Sequence, residues 1–172
     1  DYITIATTGN AIDFGNLTLG RQKLAGVSSD TRGVFGGGAG GVYDTIDYIT
    51  IATIGNATDF GDLTVARAAL AGVHSDTRGV FAGGDSGGVR SIVMDYITIA
   101  TTGNATNFGD LGVGTEYFAG VNSDIRGVFG GGYSSGYTVV MSYITIATTG
   151  NALGFGNLTI ARSNVAGVSD SA

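Results

Sequence analysis

Cysteine, proline and tryptophan are absent from the 172-residue chain, and histidine occurs once. Without cysteine there is neither a disulfide framework nor a thiolate metal site. The lone histidine, His74, stands where the other copies of a repeat carry Ser28, Asn122 and Ser169. No catalytic or metal-binding partner can be nominated for it, so no metal and no cofactor are expected. Positive charge is scarce: 8 Lys and Arg against 14 Asp and Glu give a net charge of −6. That balance disfavours a phosphate backbone as ligand, and no nucleic-acid partner is expected. No apolar run approaches the ~18 residues of a membrane helix, and apparent strands of about six residues fall short of the roughly 9–11 that span lipid in a barrel. No membrane insertion is expected.

Glycine is present in excess, with 32 residues. It follows no Gly-X-Y period and comes without proline, which excludes collagen; an apolar content of 43% argues against disorder. The glycines instead recur at fixed places in a repeat. The string DYITIATTGNA begins at Asp1, returns with small changes at Asp47 and Asp95, and reappears as SYITIATTGNA from Ser142. A second refrain, SDTRGVFGGG from Ser29, recurs from Ser75 and Ser123. Tyr2, Tyr48, Tyr96 and Tyr143 mark steps of 46, 48 and 47 residues, a length that signals one supersecondary unit per copy.

Within a unit the pattern is all-β. In Leu70–Val113, LAGVHSD is a small apolar strand ending in a polar turn, and TRGVFAGG sets Val80 and Phe81 on opposite faces of a second. DYITIA places Tyr96 and Thr98 on one face and Ile97 and Ile99 on the other, the period of a strand. Gly103-Asn104 reads as a hairpin turn, followed by a fourth strand carrying Phe108 and Leu111. Neither face is polar, so each small sheet needs cover on two sides. Four-stranded sheets stacked around an axis meet that need, and a β-propeller with one blade per ~47 residues is the expected fold. A β-solenoid is the alternative.

The order of glycine pair (VFGGG), tyrosine-bearing strand, aromatic and arginine (LTVAR) resembles the kelch repeat, whose units run to about 50 residues. The resemblance covers the whole chain. Phe14, Phe60, Phe108 and Phe155 stand where kelch repeats carry tryptophan; the arginine is Arg21, Arg67 and Arg162, with Thr115 in the third position. The fuller wording is similar to repeats of structural and fibre-like proteins of marine phages and bacteria, which implies a virion or cell-surface location. On this reading residues 1–172 form a single repeat domain. Units run from Leu24 to Val65, from Leu70 to Val113 and, less a last strand, from Phe118 to Ile160, with a split terminal blade. The opening inside a repeat points to an excerpt of a longer array.

Two constellations stand out. The pairs Asp30/Arg32, Asp76/Arg78 and Asp124/Arg126 read as structural turns, the aspartate accepting backbone N–H bonds and the arginine bracing the next unit; Asp170 is a fourth aspartate. The copies disagree mainly in the link between second and third strands and in the link between units. The first holds Tyr43, Asp44, Asp85, Arg90, Tyr133 and Tyr137; the second holds Gln22, Lys23, Ala68, Ala69, Glu116, Tyr117, Ser163 and Asn164. In an up-and-down blade both emerge on one side. Tyr43, Arg90, Tyr133, Tyr137, Glu116 and Tyr117 are therefore the candidate binding residues on a rigid scaffold. The expected function is a non-enzymatic structural or adhesion module that binds a cell-surface glycan or protein, or other virion proteins. A purely architectural ring, a possible homo-oligomer, is the alternative; a propeller glycosidase, drawing on Asp44, Asp85 or Glu116, is a remote one. The words GDSGG from Gly84 resemble a serine-protease nucleophile but have no matching base, and the Asn16, Asn56, Asn104 and Asn157 sequons read as turns.

Overall fold

The computed structural model describes residues 1–169. It holds three antiparallel four-stranded sheets and, among the described residues, no helix. The first sheet is β1 (Ala25–Ser28), β2 (Arg32–Gly36), β3 (Thr45–Thr50) and β4 (Thr58–Asp62). The second is β5 (Ala71–His74), β6 (Arg78–Ala82), β7 (Val93–Thr98) and β8 (Thr106–Asp110). The third is β9 (Ala119–Asn122), β10 (Arg126–Gly130), β11 (Val140–Thr145) and β12 (Leu153–Asn157). Strand order follows the chain, and no sheet closes on itself. The third unit thus owns the last strand that sequence reasoning withheld from it. Residues 1–19 form an irregular hairpin, with Tyr2 and Ile12 exchanging both backbone hydrogen bonds (2.8 and 2.9 Å).

The sheets stack face to face. One core joins Val27, Val34, Ile46 and Phe60 of the first sheet to Phe81, Ile97 and Ile99 of the second. A second core joins Val73, Val80, Met94 and Phe108 to Phe129, Ile144 and Ile146 of the third. Val80 and Phe81, adjacent on β6, are both fully buried and belong to different cores, as period-two strands covered on two sides require. The first strands lie against one another along one edge of the stack. There Gly72 meets the Gly26 carbonyl and Gly120 meets that of Gly72, an approach that leaves no room for a side chain.

The Gly-Asn pair does other work than the hairpin turn assigned to it. β7 and β8 are joined by residues 99–105, and the chain reverses earlier, where Thr101 N–H donates to Thr98 O (3.1 Å). Gly103 N–H instead reaches back to Phe60 O (2.7 Å) of the preceding sheet, and Asn104 Oδ1 accepts from Asp62 N–H (3.1 Å). The same staple joins Gly55 to Phe14 and Asn56 to Asn16, and again Gly150 to Phe108 and Asn151 to Asp110. Ala57, Ala105 and Ala152 add a further N–H bond to Asn16, Asp62 and Asp110. Outer-strand backbone groups that would face water at a sheet edge are therefore used between units.

Candidate binding face

The two variable segments of each unit meet. At the end of each link a residue adopts a left-handed backbone without being glycine: Lys23 (φ 58°), Ala69 (56°), Tyr117 (55°) and Asn164 (52°). This is an unfavourable conformation for such residues. It is held by a ladder along the stack, Ala69 N–H to Lys23 O (2.8 Å), Tyr117 to Ala69 (3.0 Å) and Asn164 to Tyr117 (2.9 Å). The preceding residue then pairs with the 2–3 connection. The result is one short row per unit: Gln22–Ala39–Val42, Ala68–Asp85–Arg90 and Glu116–Tyr133–Tyr137.

Four of the six candidate residues form one cluster across the second and third rows. Arg90 Nε lies 3.1 Å from Glu116 Oε1, and its guanidinium stacks 4.6 Å above the Tyr133 ring. Tyr133 and Tyr137 make an edge-to-face pair at 5.7 Å, and Tyr137 is 68% exposed. Tyr117 lies beside Glu116 on the inner ladder, where its hydroxyl accepts from Lys23 Nζ (2.8 Å) across the intervening unit. That hydrogen bond raises the Lys23 pKa above its ordinary value. Tyr43 stands apart, packed on Gly40 and Gly41 of the first unit. The cluster presents one exposed aromatic ring, Tyr137, beside a guanidinium held over Tyr133 and paired with a largely buried carboxylate. Of the other acidic residues in these links, Asp85 caps a tight turn by accepting from Gly88 N–H (2.9 Å), which accounts for the GDSGG wording, and Asp44 is exposed.

The turn pairs divide between two roles. Arg32 Nη1 donates to Ile99 O of the next sheet (2.9 Å), and Arg78 Nη1 to Ile146 O (3.0 Å). Arg32, Arg78 and Arg126 also cover Tyr48, Tyr96 and Tyr143 at 4.5, 4.3 and 4.6 Å. The aspartates do not supply the turn acceptor. Ser29, Ser75 and Ser123 do, each hydroxyl accepting from the N–H of the arginine three residues on, while Asp30, Asp76 and Asp124 face solvent. The shorter serine side chain already fills that position. Asp170 lies outside the described residues.

The residues that sequence reasoning missed are the aspartates that open the refrain. A bulge falls at the same place in each sheet, between Ile46 and Asp47, Met94 and Asp95, and Met141 and Ser142. Asp47 there accepts from Thr18 and from Arg21 Nη1 (2.6 Å), and Asp95 from Thr64 and from Arg67 Nη2 (2.6 Å). Both ion pairs have fully buried side chains. Arg67 also donates to Gly83 O (2.8 Å), Val93 O (2.5 Å) and Phe81 O (3.4 Å). Burial pulls its pKa below the usual guanidinium value, with Asp95 opposing. In the third copy the whole clamp is replaced: Gly112, Thr115 and Ser142 stand for threonine, arginine and aspartate. All three line a mostly apolar cavity of about 200 Å³ between the second and third sheets. That joint change was the available signal.

His74 is half-buried, its backbone N–H on Asn122 Oδ1 (3.2 Å), and desolvation lowers its pKa against the pull of Asp76 and Asp124. No cluster of metal-ligating side chains occurs among the described residues. Comparison with protein-family models and with curated proteins finds no match for this chain.

Proposed function

We propose that the chain is a non-enzymatic adhesion and structural module of a virion or cell surface, a propeller-type array of kelch-like blades whose variable face binds a glycan. The observation that carries this is the Arg90–Glu116–Tyr133–Tyr137 cluster, built from two units and offering an exposed tyrosine beside a fixed ion pair. Aromatic faces take the apolar face of a sugar ring, and the guanidinium and carboxylate take its hydroxyls. Several rows on one scaffold suit weak contacts made many times over. The test is a glycan array with the whole chain. Tyr133→Ala and Tyr137→Ala are each expected to lower binding at least tenfold, and Tyr43→Ala to leave it unchanged. Equal binding by all four proteins, or by none, rejects the proposal.

A second reading, a purely architectural array, draws on the repeated clamps and backbone ladders between units. A chain that binds no glycan yet assembles with its own copies supports it.

A further inference from the structure

The interface between the second and third sheets keeps the acceptors of the buried clamp but not the group that they bind elsewhere. Between the first and second sheets that group is Arg67, which donates to the carbonyls of Gly83, Val93 and Phe81 and to Asp95. The matching acceptors one unit later are the carbonyls of Gly131, Val140 and Phe129, and among the described residues no side chain donates to any of them. Gly131 is buried, and its carbonyl accepts no hydrogen bond at all among the described residues. A buried acceptor without a donor is costly. Val140 shares its face of β11 with Ile144 and Ile146, toward the second sheet, yet is 53% exposed, whereas the matching Val93 is half-buried. The space left is the cavity of about 200 Å³. Leu111, Phe118 and Phe129, all buried, form its floor, with the two rings 5.8 Å apart. No carboxylate lines it: Ser142 stands in place of Asp95, and Thr115, in place of Arg67, turns its hydroxyl onto Val113 O (3.0 Å).

We infer that this cavity is a binding site for a small neutral molecule carrying a primary carboxamide on an apolar ring. Size sets the first limit. An apolar cavity of about 150 Å³ holds benzene, so this one admits a single ring with a small polar group attached. That group has to donate, because carbonyls surround it, and the two N–H bonds of an amide diverge in one plane as those of the Arg67 guanidinium do. It has to be neutral, because a cation there is buried with no counter-charge. It also has to accept, because the hydroxyl of Ser142 can donate where the carboxylate of Asp95 could not. A carboxamide meets all three conditions. An alcohol lacks the planar pair of donors, and a carboxylate is repelled by the carbonyls. The ring rests on Phe118 and Phe129. The cavity shares no side chain with the Arg90–Glu116–Tyr133–Tyr137 cluster, so the inference stands apart from glycan binding.

Benzamide, benzamidine and toluene share a ring and differ in the group it carries. Titrating each into the intact chain, with backbone amide chemical shifts as the readout, tests the inference. Benzamide is expected to saturate, with its largest shifts at Gly112, Gly131 and Ser142, and to bind at least tenfold more tightly than cationic benzamidine or apolar toluene. Ser142→Ala is expected to weaken benzamide about fivefold, the worth of one hydrogen bond, and to leave toluene unchanged. Gly112→Thr, Thr115→Arg and Ser142→Asp together rebuild the clamp inside the cavity and are expected to abolish benzamide binding. Tighter binding of benzamidine overturns the inference by marking a cation site. Equal affinity for benzamide and toluene overturns it by marking a plain apolar void. Absence of saturable binding, with water as the one occupant, overturns it as well, and so do shifts confined to residues outside the cavity.

Discussion

Arg67→Met is expected to be among the most damaging single substitutions in the chain, and adding Asp95→Ser to repair much of the damage. In the native protein both side chains are fully buried, 2.6 Å apart, and Asp95 also accepts from the Thr64 hydroxyl and backbone. Methionine keeps the aliphatic stem but leaves the Asp95 carboxylate buried with Thr64 as its one remaining side-chain donor among the described residues. Stranding one partner of a buried ion pair costs about 3–5 kcal/mol. Removing both charges avoids that penalty and leaves mainly the lost bonds to the Gly83, Val93 and Phe81 carbonyls, at about 0.5–1.5 kcal/mol each, part of which relaxation recovers.

The double variant is therefore expected to be about 2 kcal/mol more stable than Arg67→Met alone. The second–third interface is the precedent, since it stands with threonine and serine at these places. Urea unfolding of the wild type, both single variants and the double variant gives the coupling energy directly. For a chain of this size Arg67→Met should lower Tm by roughly 6–20 °C, at about 2–4 °C per kcal/mol. An unchanged m-value keeps the comparison within one cooperative unit, and a smaller one marks sheets unfolding separately. Additive effects, or a double variant no better than Arg67→Met, would refute the view of the clamp as an isolated buried pair.

Transplanting the clamp is the converse experiment: Thr115→Arg alone should destabilise by putting an unpaired cation into the 200 Å³ cavity, while Gly112→Thr, Thr115→Arg and Ser142→Asp together should return the urea midpoint to at least the wild-type value. Gly61→Ala should cost more than about 2 kcal/mol, because the residue has φ 142° and a Cβ there would lie 2.5 Å from Gly103 O. Gly55→Ala, where a Cβ meets nothing within 4 Å, should change stability by less than about 1 kcal/mol in the same urea assay. Desolvation favours neutral His74 in the fold, so in the window below the ordinary imidazole value of about 6.5 the unfolded chain binds more protons and stability is lost as the pH is lowered. Tm measured between pH 7 and pH 5 should drop less in His74→Asn, which borrows the residue of the third copy, and an identical slope would reject the assignment.

How far the sequence could be read depended on where each contact lies relative to the repeat. Alternation within a copy carried four short strands and the burial of both β6 faces, because Val80 and Phe81 test that pattern locally. Disagreement between copies carried the variable face, because the segments that differ also pair with one another. Contacts that join a residue to its neighbour one unit away were hidden by the repetition itself. Asn104 could only be read as a turn residue while its partner, the backbone of Asp62, left no mark on side-chain choice. Asp95 and Arg67 are 28 positions apart and both recur, so nothing in the intact copies says that one needs the other. The departing copy does say so. Thr115 and Ser142 are also a unit's link and the following bulge, and Gly112 changes with them. The same logic applies on the variable face, where Arg90 and Glu116 pair across two units while the corresponding Val42 and Ala68 are both apolar. In a chain that repeats itself so closely, an interface becomes legible where two copies break the pattern together, because a buried charge cannot be lost on one side alone without cost.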